Sequence, residues 1–335
     1  MSAKKLLGMS LVSICICLAI VAVMKRGHSS LEEETVDVQV KEAVAEEVGA
    51  VAAREVGLKL EPVHDAIANE EADCIDRFFT TGKDQFPIVQ TIKYKSRVSW
   101  LKGKPAWIAD YAAHYKTSRH FIARSLNREK DYLTQKVGTG DTFTVLNPDK
   151  AVLFYLVIDL SRCKMWFYYH DLDTGEKKLV KTYRVGLGRL DLKADSGVLT
   201  PAGLFWLGEK VAVYKPGVVD YFQGSEAEMV QIFGTRWLPL AKRVGGEEDI
   251  KGYGLHGIPW VYDEAAKIYV EDLAAVGSYT SDGCIRLKQE DIEELYAILI
   301  TKLTAVEIVT DFQQAILPKI SCKQATVMSK GGPPC

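Results

Sequence analysis

No Cys-x-x-Cys pair and no cysteine/histidine cluster with metal-ligand spacing occurs in this chain of 335 residues. Nothing in it therefore predicts a zinc site. Net charge is nearly absent, at −2, which gives no general reason to expect nucleic acid as a partner. Sustained heptads are missing, so a long coiled coil is not expected. What is present is apolar material: 47% hydrophobic residues against 26% charged. That supports a sizeable core, and the length accommodates two domains with appendages.

One long apolar run stands at the N-terminus. Leu6 to Met24 carries no charge over 19 residues, enough to span a bilayer. Lys4-Lys5 and Lys25-Arg26 flank it. No small-x-small cleavage site follows, and Cys15 and Cys17 are each preceded by isoleucine rather than the small residue of a lipoprotein site. Residues 1–26 are expected to be an uncleaved transmembrane anchor with its N-terminus inside, a signal sequence being the alternative. Residues 27–90 read as an acidic linker. From Leu31 to Asp73 there are 13 acidic and 3 basic residues, and aromatics are few. The remainder of the chain is mildly basic, which suits a polyanionic substrate or surface. Seven cysteines is an odd number, and their spacing leaves open whether any of them pair.

A small module is predicted over residues 91–147. Ile92 to Trp100 reads as extended. Pro105 fits the first turn of a helix carrying Ile108, Tyr111, Ala112 and Tyr115 at helical spacing. Ser118 caps a second helix with Phe121, Ile122 and Leu126 as its apolar stripe. A Gly-rich turn then enters the strand Thr142 to Leu146.

From Ala151 the texture becomes β-rich. Val152 to Asp159, Lys164 to His170 and Leu179 to Val185 read as strands, with a turn at Asp171 to Gly175. Leu204 to Leu207, Val211 to Tyr214, Met229 to Phe233 and Trp237 to Leu240 read as further strands. Ile292, Leu295, Tyr296, Leu299 and Leu303 share one helical face, and Val306 to Val309 gives a last strand. The fold class expected is multidomain: a mixed β-sandwich with one helix over 151–310, preceded by a βααβ module and a transmembrane helix. Residues 311–335 form a tail without clear pattern.

The chemistry concentrates in Ser281-Asp282-Gly283-Cys284-Ile285-Arg286-Leu287 and in Tyr253-Gly254-Leu255-His256-Gly257. A free cysteine is ordinarily a small buried hydrophobe, and a histidine among glycines is ordinarily structural. Here the two contexts combine. Gly283 permits a turn that exposes the Cys284 thiol and brings amide N–H groups near it, the makings of an oxyanion site. His256 is placed to take the thiol proton, and an ion pair between them would depress the thiol pKa. Arg286 offers a planar fork for a carboxylate, or else makes a structural salt bridge.

These residues carry a resemblance. His256-Gly257 and the Ser281 to Leu287 motif are similar to the signature of the L,D-transpeptidases, the YkuD-type catalytic domain. The likeness extends to Thr200-Pro201-Ala202-Gly203 and Val157-Ile158-Asp159-Leu160, over roughly 151–310. It implies peptidoglycan stem peptides as substrate, with no metal and no cofactor. It implies that Cys284 attacks the carbonyl at the L-centre of the third stem residue, releasing D-alanine. A thioester remains, to be resolved by an acceptor amine. His256 would be the base, Gly283 and Cys284 the oxyanion donors and Ser281 the orienting residue. Tyr253, Gly257 and Arg286 would belong to the substrate site. Two departures stand out: Asp282 replaces a histidine that many relatives carry, and the His256 to Cys284 spacing is long, the excess being an acidic insertion or lid over Val261 to Leu273. Residues 91–147 resemble a LysM module through Trp107-Ile108-Ala109, Tyr111, Tyr115-Lys116-Thr117, Asn127 and Gly140 to Leu146, with Lys102-Gly103-Lys104-Pro105 replacing the usual opening turn. That likeness implies glycan strands as a further partner, or a packing role. The expectation is a cell-envelope enzyme, anchored through residues 6–24, with its catalytic domain outside the cytoplasm. An L,D-carboxypeptidase and a non-catalytic peptidoglycan-binding tether are the alternatives.

Overall fold

The computed structural model describes residues 71–127, 136–246 and 250–316. The 6–24 run, the linker up to residue 70 and the tail beyond 316 lie outside them. Among the described residues no helix is long and apolar enough to cross a membrane.

The small module is strand, helix, helix, strand. β1 (Val89–Lys93) pairs antiparallel with β2 (Thr142–Leu146), and between them run α1 (Ile108–His114) and α2 (Arg119–Asn127). Ser118 does cap α2, its Oγ accepting the Phe121 N–H at 2.9 Å. Two local expectations need correction. The strand ends at Lys93 rather than running to Trp100. Pro105 precedes α1 instead of opening it, and the helix start is held by the Asp110 carboxylate, which accepts the Trp107 N–H at 2.8 Å.

The linker reading also fails for residues 71–90. Thr182 N–H donates to Ala72 O and Cys74 N–H to Val180 O, both at 2.9 Å, so this segment lies along the edge of the strand Glu176–Arg184. Phe78 and Phe86 then enter the main core beside Phe154, Phe167 and Tyr169. Phe121 of α2 joins the same cluster. Burying a phenylalanine contributes about 1.5–3 kcal/mol. The module thus shares the main core through Phe78, Phe86 and Phe121, and keeps a small core of its own around Tyr94, Tyr111, Ile122 and Phe143.

The β-rich region is a nine-stranded mixed sheet. β3 (Val152–Asp159), β4 (Lys164–Asp171) and β5 (Glu176–Arg184) form an antiparallel meander. β17 (Thr304–Val309) lies parallel to β3. β7 (Gly203–Leu207), β11 (Arg236–Arg243), β12 (Gly254–Gly257) and β16 (Ile285–Leu287) continue it on the far side, with β8 (Ala212–Val213) on β11. Every residue of β3 is buried. Alternation sends Phe154, Leu156 and Ile158 into the main core and Leu153, Tyr155 and Val157 into a second cluster on the opposite face. The two ends of the sheet meet. Gly186, just past β5, exchanges backbone hydrogen bonds of 2.8 and 2.9 Å with Arg286 of β16. α4 (Gln289–Leu299) packs Ile292, Leu295, Ile298 and Leu299 against this core. Leu303 lies beyond its end and is exposed.

Met229 to Phe233, expected as a strand, contains instead a single helical turn, α3 (Val230–Phe233). It follows the hairpin of β9 (Val219–Phe222) and β10 (Ser225–Glu228). The Val261 to Leu273 excess is also a hairpin, β13 (Trp260–Asp263) with β14 (Ile268–Glu271). The two hairpins are joined through Gln231, whose Nε2 donates to Tyr269 OH at 2.8 Å and to Glu228 at 2.9 Å.

Candidate active site

β12 and β16 are parallel neighbours with Leu255 opposite Ile285, His256 opposite Arg286 and Gly257 opposite Leu287. Leu255, Ile285 and Leu287 are fully buried in the main core. Successive side chains of a strand alternate faces. His256 and Arg286 therefore share the other face, and Cys284, two residues before Arg286, falls on it too. The pleat alone brings the three candidate reactive groups to one side of two adjacent strands.

The loop before β16 is built around Ser281, which is buried at the end of β15 (Tyr279–Ser281). Its Oγ donates to Cys284 O at 2.7 Å and accepts the Gly283 N–H at 3.1 Å. This corrects one expectation. The Gly283 N–H is engaged inside the loop and is not free to serve as an oxyanion donor. Gly283 itself has φ +115°, and a Cβ there would meet Tyr253 Cε1 at 2.6 Å and Leu199 O at 2.8 Å. Its partner across the loop is Gly188, on β6 (Leu187–Gly188), whose added Cβ would come within 3.0 Å of Gly283 Cα. The Gly188 N–H donates to the buried Thr200 Oγ1 at 2.8 Å. Gly188 and Thr200 thus shape the nucleophile turn from distant parts of the chain. The Gly186-x-Gly188 spacing was the available signal for this.

His256 is buried, with its ring against the edge of Phe233 (5.4 Å) and beside Trp237 (5.9 Å). Nδ1 lies 2.7 Å from Gly257 O. A carbonyl only accepts, so Nδ1 carries the proton and the Nε2 lone pair is left for chemistry. Gly257 therefore orients the base through its carbonyl. Burial pulls the His256 pKa down to about 4, against the opposing pull of the Gly257 and Phe233 backbone hydrogen bonds, and Arg286 lowers it further.

The Cys284 thiol is half-buried and donates to Gly252 O at 3.4 Å. Burial pushes its pKa up; a hydrogen bond from the Gly254 backbone and the charge of Arg286 oppose this, and Asp282 adds to it. Both shifts favour the neutral forms of thiol and imidazole, because both groups are desolvated, and burial therefore opposes the thiolate–imidazolium pair expected of them.

Arg286 is half-buried, and burial lowers its pKa. Nη1 donates to Thr280 Oγ1 at 3.3 Å, while Nε is buried without a partner. Among the described residues no carboxylate forms a salt bridge with Arg286, so the structural salt bridge considered for it is not made there. Asp282, in the place of the second histidine, faces outward and accepts Arg189 Nη2 at 2.6 Å. Cys74, Cys163 and Cys284 are all free thiols; the other cysteines lie outside the described residues.

Solved structures that resemble the chain include the following two. The structure of Bdellovibrio bacteriovorus Bd1075 is 14% identical, with a TM-score of 0.32, over 53% of this chain and 55% of that one. The helical cell shape determining protein Pgp2 from Campylobacter jejuni is 16% identical, with a TM-score of 0.32, over 53% and 52%. The chain thus spans about half the length of each. No curated protein matches it. Residues 153–308, the segment from β3 to β17 that holds every candidate site residue, match the YkuD family, the L,D-transpeptidase catalytic domain.

Proposed function

We propose that the protein is a peptidoglycan L,D-transpeptidase, a cysteine acyltransferase of the cell envelope. The observation that carries the proposal is the placement of Cys284 and His256 on one face of adjacent parallel strands, with His256 Nδ1 tied to Gly257 O and Nε2 left as an acceptor.

The stem peptide lies across this face with the carbonyl of its third residue against Sγ. Because burial favours the neutral pair, the thiol proton moves to His256 Nε2 as sulfur attacks, not before. The negative oxygen of the tetrahedral intermediate is held by the Cys284 N–H, the donor of the motif that Ser281 does not engage. The imidazolium then protonates the departing amine of D-alanine, and the thioester forms. An acceptor amine enters, loses its proton to His256 and displaces the thiol, giving the cross-link. Arg286, a half-buried guanidinium without an ion pair among the described residues, receives a stem carboxylate by charge-assisted hydrogen bonds. Tyr253 backs the nucleophile turn from beneath Gly283. Residues 91–147 serve as a LysM-like glycan-binding module, and residues 6–24 anchor the chain in the membrane.

The test is incubation with a disaccharide-tetrapeptide and mass spectrometry of the products. Release of D-alanine with a cross-linked dimer supports the transpeptidase; release without dimer would favour a carboxypeptidase. Cys284→Ala is expected to abolish turnover with the fold intact, and His256→Ala to lower it by a factor on the order of 10² or more. Residual turnover of Cys284→Ala at about a tenth of wild type would remove the nucleophile assignment, since loss of a covalent nucleophile leaves far less.

A further inference from the structure

The feature least explained by the active site lies on the small module. Between Lys93 and Arg119 the chain carries seven basic residues and one acidic residue, Asp110, in a protein of net charge −2. All seven are exposed. Asp110 is already engaged: it accepts the Trp107 N–H and pairs with Lys104 at 2.9 Å. Among the described residues the other six basic side chains have no carboxylate partner.

The fold gathers several of these charges. Tyr94 OH donates to Ala106 O at 2.7 Å, and Ala106 N–H donates to Ser96 O at 2.8 Å. Tyr111 OH accepts the Lys95 N–H at 3.0 Å and donates to Lys95 O at 2.9 Å. These bonds pin residues 94–96 against the start of α1. Lys95 and Arg97 are thereby brought beside the Lys102 to Trp107 loop. Trp107 itself is 62% exposed, the one large apolar side chain of the described residues 71–147 that is.

A charged stretch is ordinarily just a solvated face. Here like charges are crowded without counter-charges around an indole left in water, and both features cost stability as they stand. An anionic surface offsets both. The charges are mostly lysines, flexible point charges suited to many mobile headgroups rather than to one oriented anion. An indole beside them is suited to the headgroup level of a bilayer. We infer that this face of the small module, with Lys95, Arg97, Lys102 and Trp107 at its centre, docks on an anionic phospholipid surface. The inference is independent of the transpeptidase reading.

The test uses a fragment beginning at residue 71, where the described residues that build the main core begin, so that the 6–24 run is omitted. The fragment is sedimented with vesicles of phosphatidylcholine containing about a third phosphatidylglycerol, and with vesicles of phosphatidylcholine alone. Binding to the anionic vesicles only, released by molar salt, is expected. Lys95→Glu/Arg97→Glu/Lys102→Glu should weaken it on the order of 10²-fold or more, and Trp107→Ala should weaken it as well. An unchanged thermal midpoint of the triple variant shows that it is folded. Equal sedimentation with both vesicle types, undiminished binding by the folded triple variant, or binding to soluble polyphosphate but not to vesicles would each overturn the inference.

Discussion

Gly283 sits over the Tyr253 ring so closely that a single methyl group cannot be placed between them: a Cβ on Gly283 would lie 2.6 Å from Tyr253 Cε1. The opposite approach, to Leu199 O at 2.8 Å, is backbone and cannot rotate away. With φ at +115°, a side chain would be strained even in open space. Gly283→Ala is therefore expected to displace the nucleophile turn. It should cost about 1–3 kcal/mol of stability and most of the turnover. Removing the ring with Tyr253→Ala relieves one clash and leaves the other, so the double variant should recover stability only in part. Near-normal activity of Gly283→Ala would mean that the turn is not held as described.

Ser281 makes the second constraint on that turn. Its hydroxyl both donates to Cys284 O and accepts from the Gly283 N–H, in a buried position. Ser281→Ala strands both backbone groups, at a cost of about 1–3 kcal/mol for each unsatisfied buried group. The expected result is a lower kcat with little change in KM, since the stem is held elsewhere. A KM effect with unchanged kcat would place Ser281 in substrate binding.

The preference of burial for the neutral pair makes a pH prediction with two signs. Alkylation of Cys284 by iodoacetamide should rise with pH through a midpoint above the ordinary thiol value of 9.0, because burial raises the thiol. Asp282 raises it further and Arg286 lowers it. Asp282→Asn should thus move the midpoint down and Arg286→Gln should move it up. A wild-type midpoint well below 9 would instead mean a preformed ion pair with His256, and the mechanism would begin from the thiolate.

Some of this was legible before any coordinates. Alternation and aromatic richness mark Val152 to Asp159 and Lys164 to His170 as strands, and both lie where expected. Cys284 and His256 are conspicuous because glycine and hydroxyl neighbours surround them. Other features depend on contacts remote in sequence. Phe78 and Phe86 stand just past an acidic stretch whose composition reads as linker, and only their packing on Phe154 and Tyr169 places them in the core. Met-Val-Gln-Ile-Phe at 229–233 is too short to declare a period, so helix and strand could not be told apart. The opposition to a Cys284–His256 ion pair comes from burial, which no local motif encodes.

The last prediction concerns Glu307, on the face of β17 opposite Val306 and Ile308 of the main core. It is buried, accepts Tyr155 OH at 2.7 Å and the Ile316 N–H at 2.7 Å, and has its pKa raised from 4.5 to about 7 by burial. His170, stacked on Tyr155 with burial pulling its own pKa down to about 3, stays neutral and supplies no counter-charge. The folded state therefore holds a proton on Glu307 that the unfolded state gives up. The resulting stabilisation is complete below pH 4.5 and is lost as pH rises through 7. Glu307→Gln keeps the shape and both hydrogen-bond partners but cannot ionise. Wild type should lose on the order of a few kcal/mol relative to this variant between pH 5 and 8, read as a thermal midpoint falling several degrees more. The other raised carboxylates, Asp291 and Glu294 at Lys181 and Glu271 beside α4, act equally in both proteins and cancel in the comparison. Parallel midpoint-versus-pH curves would show that Glu307 is ionised in the folded protein throughout, and that its two hydrogen bonds outweigh its desolvation.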